Sequence, residues 1–135
     1  MNSSLEVKVM AASNTKKERR IYSIFSLDQF DKILDEMERE PLPDNWYLVA
    51  IQGKWKEYAS VSTYLQFREE ISHEEIEKLL GPSMNGNGDN QFKIEEWEFD
   101  EFSDDEYIYR FCVNISFLNN VATSGIIFWR KIKRE

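Results

Sequence analysis

The stretch Tyr107–Phe117, YIYRFCVNISF, decides the fold more than any other part of the chain because its side chains alternate strictly. The odd positions hold Tyr, Tyr, Phe, Val, Ile and Phe. Successive side chains of a β-strand point to opposite faces, so this spacing predicts a strand with one buried face. Asn119-Asn120 then suits a two-residue hairpin turn, and VATSGIIFWRKIK (121–133) predicts the returning strand.

A regular hairpin around this turn places Cys112 opposite Ile127 and Arg110 opposite Trp129. The face opposite the core is then unusually apolar, which requires that something cover it. Two interpretations remain open, namely coverage by the N-terminal hairpin or the chain's own terminus, and coverage by a partner. The apolar residues predicted on this face are Ile108, Cys112, Leu118, Ile127 and Trp129.

The strand before this hairpin is strongly acidic. The run IEEWEFDEFSDDEYIYRF (94–111) has eight carboxylates in the twelve positions from Glu95 to Glu106, with no positive charge among them. Alternation directs Trp97 and Phe99 inward and the carboxylates outward. Because adjacent like charges repel, the run favours either simple solubility or a surface matched to a basic partner.

Two related segments predict the helices. FSLDQFDKIL (25–34) and ISHEEIEKLL (71–80) match class by class, and each has a Ser followed three residues later by Gln or Glu, the pattern of a capping box. Apolar residues then recur at helical spacing, and prolines follow at Pro41 and Pro82. The two segments together predict two short amphipathic helices. Each helix belongs to one strand-helix-strand unit of a weak internal repeat, and the two units start near residues 21 and 67.

The remaining apolar segments predict strands, which gives the order ββ-α-ββ-α-βββ. We expect a single α+β domain over 1–135, in which a largely antiparallel sheet carries both helices on one face. These strand segments are EVKVMA (6–11) and RRIYSIF (19–25) as a hairpin, NWYLVAIQG (45–53), SVSTYLQF (60–67) and FKIEEWEFD (92–100). The segment from Lys54 to Ala59 is expected to connect two of them.

The charge distribution excludes some classes of partner. Residues 1–25 carry five Lys or Arg against two Glu, residues 26–110 carry eight against 22 acidic residues, and residues 111–135 carry four against one. Such an acidic centre argues against nucleic-acid binding and favours a basic partner or solubility. The sequence lacks a secretory signal and an apolar membrane-spanning segment, and its single cysteine fits the cytoplasm.

Catalytic and metal-binding patterns are scarce. The single histidine, His73, has no nucleophile placed near it in the sequence and is expected at the surface, and Cys112 is expected to be structural. NGNGDNQFKIEE (85–96) has the spacing of a calcium loop, but Asn replaces Asp at position 1 and Gly at position 6, so a flexible turn is favoured. We therefore expect no enzyme activity, no cofactor and no metal.

The segments IYSIFSLDQFDKILDEM (21–37) and DNWYLVAIQG (44–53) resemble the start of the small α+β immunity proteins of bacterial polymorphic toxin systems. The resemblance implies a cytoplasmic inhibitor that covers the basic active site of a toxin or nuclease-like protein with carboxylates and aromatic anchors. The residues predicted to bind the partner are Glu96, Glu98, Asp100, Glu101, Asp104, Asp105 and Glu106, with Trp129 and Trp55 as anchors.

Two alternatives remain. A phage-encoded protein that blocks a host defence enzyme, by imitating the charge of DNA, would use the same physics. A small-ligand-binding or enzymatic domain would instead have its site under the curved sheet near Trp46, Trp55 and Tyr64. A deep pocket with a few converging polar groups would favour the ligand-binding domain, whereas a solvated acidic surface would favour an inhibitor.

Overall fold

The computed structural model describes residues 20–51 and 53–134. Within these ranges the chain forms two helices and eight strands. The helices are α1 (Leu27–Arg39) and α2 (His73–Leu80). The strands are β1 (Arg20–Ile24), β2 (Trp46–Ile51), β3 (Lys54–Ser60), β4 (Thr63–Phe67), β5 (Asn85–Gly88), β6 (Phe92–Ser103), β7 (Tyr107–Leu118) and β8 (Val121–Lys133).

All eight strands belong to one sheet, in which β8 is central. One edge of β8 pairs with β7, and its other edge pairs first with β4 and then with β3. The sheet continues from β7 to β6 and β5, from β4 to β1, and from β3 to β2. Among the eight described strands, only β1 and β4 pair in parallel. The predicted α+β class, with a largely antiparallel sheet and two helices, is confirmed.

The order of strands differs from the predicted one. Three strands lie between the helices, because residues 54–60 pair with β2 and β8 instead of forming a connection. Residues 85–88, predicted as a turn, form a short strand on β6. Whether such a segment forms a strand depends more on pairing with a neighbouring strand than on its own composition. The predicted hairpin strand at 6–11 lies outside the described residues, and β1 pairs with β4.

Both helices begin at the predicted serines. The Ser26 hydroxyl accepts a hydrogen bond from the Gln29 amide at 3.1 Å, and the Gln29 side chain accepts one from the Phe25 amide. Ser72 and Glu75 form the reciprocal capping box, with both bonds at 3.1 Å. Each cap satisfies amides that the first helical turn leaves without partners.

The core lies between the two helices and one face of the sheet, which we call the helix-side face. Both helices bury an apolar stripe there, and the odd positions of β7 meet it as the alternation predicts. The largest fully buried side chains of this core are those of Trp97, Phe30, Phe111, Phe117, Ile24, Leu65, Ile76, Ile115, Ile127 and Val113.

A β-bulge near the last turn corrects the predicted register. Thr123 has no partner on β7, so Val113 faces Ile127 and Phe111 faces Trp129. A shift of one residue moves every following side chain to the other face. The prediction that Ile127 and Trp129 lie on the outer face, opposite the helices, is therefore wrong, since both are buried in the core at 1% and 6% exposure.

The outer face is covered in part by the hairpin that β2 and β3 form. Cys112 faces Phe128, and together with Ala59 of β3 they form a second buried cluster. Tyr47 and Val49 of β2 pack against this cluster. The sequence predicted that this face is covered by the N-terminal hairpin or the chain's terminus, or by a partner. Over this part of the face, the β2–β3 hairpin covers it instead.

Candidate functional site

The outward carboxylates of β6 are paired within the protein. Arg130 of β8 places its Nη1 at 2.7 Å from Glu96 and at 2.5 Å from Glu98. The side chains of Glu96 and Glu98 are only 15% and 11% exposed. These two predicted contact residues are therefore internal counter-ions of an arginine and do not form a free anionic surface.

A wider charge network, made of Glu57, Glu96, Glu98, Glu101, Arg110 and Arg130, occupies this part of the outer face. Arg110 of β7 lies 2.8 Å from Glu101 and 3.5 Å from Glu98. Arg130 also approaches Glu57 of β3, with Nε at 3.2 Å. The cations that pair with the acidic run lie on the neighbouring strands of the sheet, where cross-strand pairs meet.

Burial perturbs the groups of the charge network. Burial raises the pKa of the Glu57 carboxyl, the Arg130 guanidinium lowers it, and the nearby carboxylates of Glu98 and Glu96 raise it again. The Nε of Arg130 is buried and makes no well-directed hydrogen bond, although it lies close to Glu57. Arg130 is therefore the shared ion-pair partner of the Glu57, Glu96 and Glu98 carboxylates.

Cys112 lies beside the charge network, and its sulfur and the carboxylates of Glu96 and Glu98 are all within 4.8 Å of one another. Because Arg130 bonds both carboxylates, the positive charge at this place is already supplied by the protein. Burial raises the pKa of the Cys112 thiol to about 12. The sulfur is therefore a protonated apolar filler of the second cluster, as expected for a structural cysteine.

The inertness of this thiol can be tested. We expect Cys112 in the native protein to react with a disulfide reagent such as DTNB at least about a hundredfold more slowly than in the urea-unfolded chain, because only the thiolate attacks and the side chain is fully buried. The release of thionitrobenzoate at pH 8 measures both rates. Equal rates would show that the outer face opens freely.

The remaining predicted carboxylates lie at the turn between β6 and β7. Asp104 is structural, since its carboxylate accepts hydrogen bonds from the amides of Glu106 (2.8 Å) and Tyr107 (2.7 Å). These bonds lower the pKa of Asp104. Asp105 and Glu106 are exposed, and neither forms an ion pair with a residue that the structure describes. The side chain of Asp100 lies outside the described part.

The structure does not place either predicted anchor, Trp129 or Trp55, on the surface. Trp129 packs in the core against Phe111, with ring centroids 5.2 Å apart. Trp55 pairs with Ala50 within the β2–β3 hairpin, and its side chain lies outside the described part. The exposed ring at this end is Phe102, which is 46% exposed and stacks on Tyr109. A second bulge, with Asp100 unpaired between Phe99 and Glu101, turns Phe102 to the helix-side face, and the sequence carries no signal for it.

The three aromatic residues predicted to line a ligand site do not converge. Trp46 lies on the helix-side face, 4.9 Å from the Nζ of Lys131, which Tyr58 and Tyr107 also surround at 5.5 and 4.6 Å. Tyr64 pairs with Ile126 and lies on the opposite face. Trp46 and Tyr64 therefore cannot contact the same small molecule, and the rings around Trp46 already bind a lysine.

A cavity of about 250 Å³ opens where the chain leaves β8 between β3 and β4. Here the Ser60 hydroxyl takes the place of a neighbouring strand as the hydrogen-bond partner of the Trp129 backbone. It accepts a hydrogen bond from the Trp129 amide at 3.2 Å and donates one to the Trp129 carbonyl at 3.4 Å. The ion pair of Arg20 and Glu40 closes part of the cavity rim. Its volume is below the ~300–1,000 Å³ of typical ligand pockets, whereas a wider and more open cavity of about 510 Å³ is lined in part by Tyr64, Asn114 and Ile126.

His73 and the asparagine-rich segment also differ from expectation. The His73 ring lies 2.8 Å from a Glu95 oxygen and packs on Phe117, so it is not a simple surface residue. Residues 85–88, which begin the segment with calcium-loop spacing, pair as a strand with residues 93–96. This pairing replaces the loop-helix geometry that a calcium site of that spacing requires.

A large net negative charge lies on the helical layer, defined here as residues 25–45 and 68–80. The first segment has seven acidic and two basic residues, a net charge of −5, and the second has five and two, a net charge of −3. Their combined charge equals the −8 of the whole chain. Over the other residues that the structure describes, the charges sum to −1.

Comparison with models of protein families, with curated proteins and with solved structures found no match to this chain. Within the described residues, neither helix has the length and the apolar composition needed to cross a membrane.

Proposed function

We propose that the protein is a non-catalytic inhibitor, similar in its action to a toxin-immunity protein, that blocks a basic protein partner with an acidic surface. The helical layer is that surface. The observation that carries this proposal is the net charge of −8 on the helical layer, while Arg130 neutralises Glu96 and Glu98 on β6.

Solvent exposure on the helices supports this assignment. The carboxylates of α1 and α2 lie mostly on their exposed sides, because the apolar stripe of each helix faces the core. Among the described residues, Asp35 with Arg39 is the one ion pair within α1, and Glu75 is engaged in the capping box. The exposed carboxylates of the two helices are those of Asp28, Asp31, Asp35, Glu36, Glu74, Glu75 and Glu77.

An apolar anchor lies beside these charges. Phe25 precedes the cap of α1 and is 58% exposed. The chain returns close to it after β4, where the Arg68 amide donates to the Ile24 carbonyl at 2.7 Å. A large ring within a charged rim is the usual composition of a binding hot spot, in which the ring supplies affinity and the charges supply orientation and rate.

The proposed partner is a toxin or nuclease-like enzyme with a basic active-site cleft, and the proposed compartment is the cytoplasm. A fixed negative surface accelerates encounter with such a cleft, and this acceleration falls as salt increases. A phage-encoded inhibitor of a host defence enzyme would bind in the same way, so the identity of the captured enzyme distinguishes the two sources.

Charge reversal on the helical layer tests the proposal. We expect the triple variant Asp31→Lys, Glu36→Lys and Glu77→Lys to bind the partner about tenfold or more weakly, because attractive contacts become repulsive. The partner is captured by affinity pull-down from the source organism at 50 and 500 mM salt and identified by mass spectrometry. Its affinity for each purified variant is then measured by calorimetry.

A matched control has the same change in net charge at the turn between β6 and β7. The control variant Glu101→Lys, Asp105→Lys and Glu106→Lys should keep the wild-type affinity if the helical layer is the surface. If the control variant instead bound the partner more weakly than the helical-layer variant, the binding surface would be the acidic run at residues 95–106. Capture that is insensitive to salt and to both variants would reject an acidic binding surface altogether.

A further inference from the structure

Strand β2 leaves one edge of the sheet open. It pairs with β3 on one side, and no strand among the described residues pairs with its other side. The amides and carbonyls that alternate along this edge are directed away from the sheet. Such an edge is a template on which another extended chain can add a strand.

The sequence of β2 lacks the features that usually protect an edge. Its six residues, WYLVAI, include no charged residue and no proline. Two other strands lie at edges among the described residues: β1, RIYSI, which begins with Arg20, and β5, which is short and consists of the four residues NGNG. Natural edge strands are kept apart by lysine, proline or extreme shortness, and β2 has none of these.

The charge around β2 permits a second copy of the chain to approach this edge. Residues 46–60 carry Lys54 and Lys56 against Glu57, a net charge of +1, although the chain as a whole carries −8. Repulsion between two copies is therefore weaker at this hairpin than at the helical layer. Antiparallel pairing also brings the acidic start of the segment, Asp44, towards the basic turn at Lys54 of the second copy.

We propose that β2 is a self-association edge, at which two copies pair antiparallel about a two-fold axis and form one continuous sheet. Centred on Val49, this register places Leu48 opposite Ala50 of the second copy, with both side chains on the helix-side face. Leu48 is 41% exposed and Ala50 is exposed, so both are accessible to the second copy. Each copy has one β2 edge, so association ends at the dimer.

Light scattering coupled to size exclusion tests the proposal with the full chain. We expect wild-type protein to increase with concentration from the chain mass of 16.1 kDa towards twice that value. Leu48→Lys should raise the dissociation constant by about tenfold or more, since a lysine on an edge strand opposes pairing. Leu118→Lys, at an apolar residue that is 48% exposed at the end of β7, is the matched control and should dimerise like wild type.

A second measurement reports the register itself. In the double variant Leu48→Cys and Ala50→Cys, oxidation should produce a covalent dimer, because the two cysteines meet across the two-fold axis. A wild-type protein that stays monomeric up to millimolar concentration would overturn the proposal. So would a dimer that persists unchanged in Leu48→Lys, provided that circular dichroism shows this variant to be folded.

Discussion

Arg130→Met is expected to lower the free energy of unfolding by about 3–5 kcal/mol at pH 7, the usual effect of leaving buried charges without their partner. The guanidinium is 18% exposed and lies within 3.2 Å of Glu57, Glu96 and Glu98. Methionine fills a similar volume, so the loss reports the missing charge more than a cavity. Urea denaturation followed by circular dichroism measures it.

The pH dependence of this loss distinguishes electrostatics from packing. The pKa of Glu57 is raised from its usual value of 4.5 by burial, so the stability gained from its proton is present below pH 4.5 and is lost as pH rises through the folded-state pKa. Removal of Arg130 should raise the pKa of Glu57 further, because the guanidinium that opposes the effect of burial is lost. The difference between wild type and variant should therefore shrink as pH falls from 7 to 4.5.

Arg110→Met is the matched control for Arg130→Met. The Arg110 side chain is 34% exposed and contacts Glu98 and Glu101, of which Glu101 is largely in solvent. Water screens such pairs, so we expect a loss of about 1 kcal/mol or less. If Arg130→Met were no more damaging than Arg110→Met, or if its effect were the same at both pH values, the charge network would not be a stabilising feature of the outer face.

The sequence predicts those parts of the fold that depend on short-range periodicity. Period-two alternation correctly placed Trp97 and the odd positions of β7 in the core, and the serine caps correctly located both helices. The bulges at Asp100 and Thr123 escaped prediction, since one unpaired residue leaves the composition of a strand unchanged while it turns the following side chains over. For this reason Trp129 was expected outside and lies inside.

The sequence directs the prediction of a binding site to the acidic run for a related reason. A run of carboxylates is conspicuous in the sequence, whereas the arginines that neutralise it, Arg110 and Arg130, are brought to it only by pairing of β6, β7 and β8. The acidic residues of the helices are separated by apolar residues, so they do not form a continuous acidic run in the sequence. These acidic residues are exposed because the apolar stripe of each helix faces the core.

Trp97, in the middle of the acidic run, shows how its apolar positions support the helical layer. It is 1% exposed, and its indole Nε1 donates a hydrogen bond of 2.7 Å to the carbonyl of Gly81. Gly81 ends α2 with a φ of 86°, a conformation that glycine adopts without strain. The indole therefore links the sheet to the end of the second helix, and its ring also packs edge-on against Phe117.

We expect Trp97→Ala to lower the free energy of unfolding by about 3–5 kcal/mol, through the lost burial and the cavity it leaves. Trp97→Phe, the matched control, retains most of the apolar contact and should lose only about 1–3 kcal/mol, from the unpaired Gly81 carbonyl. In both variants hydrogen exchange should accelerate in α2 before β7, since the indole holds that helix end directly. Equal losses in the two variants would assign the whole effect to the hydrogen bond, and a loss below about 1 kcal/mol in Trp97→Ala would show that α2 is held without the tryptophan.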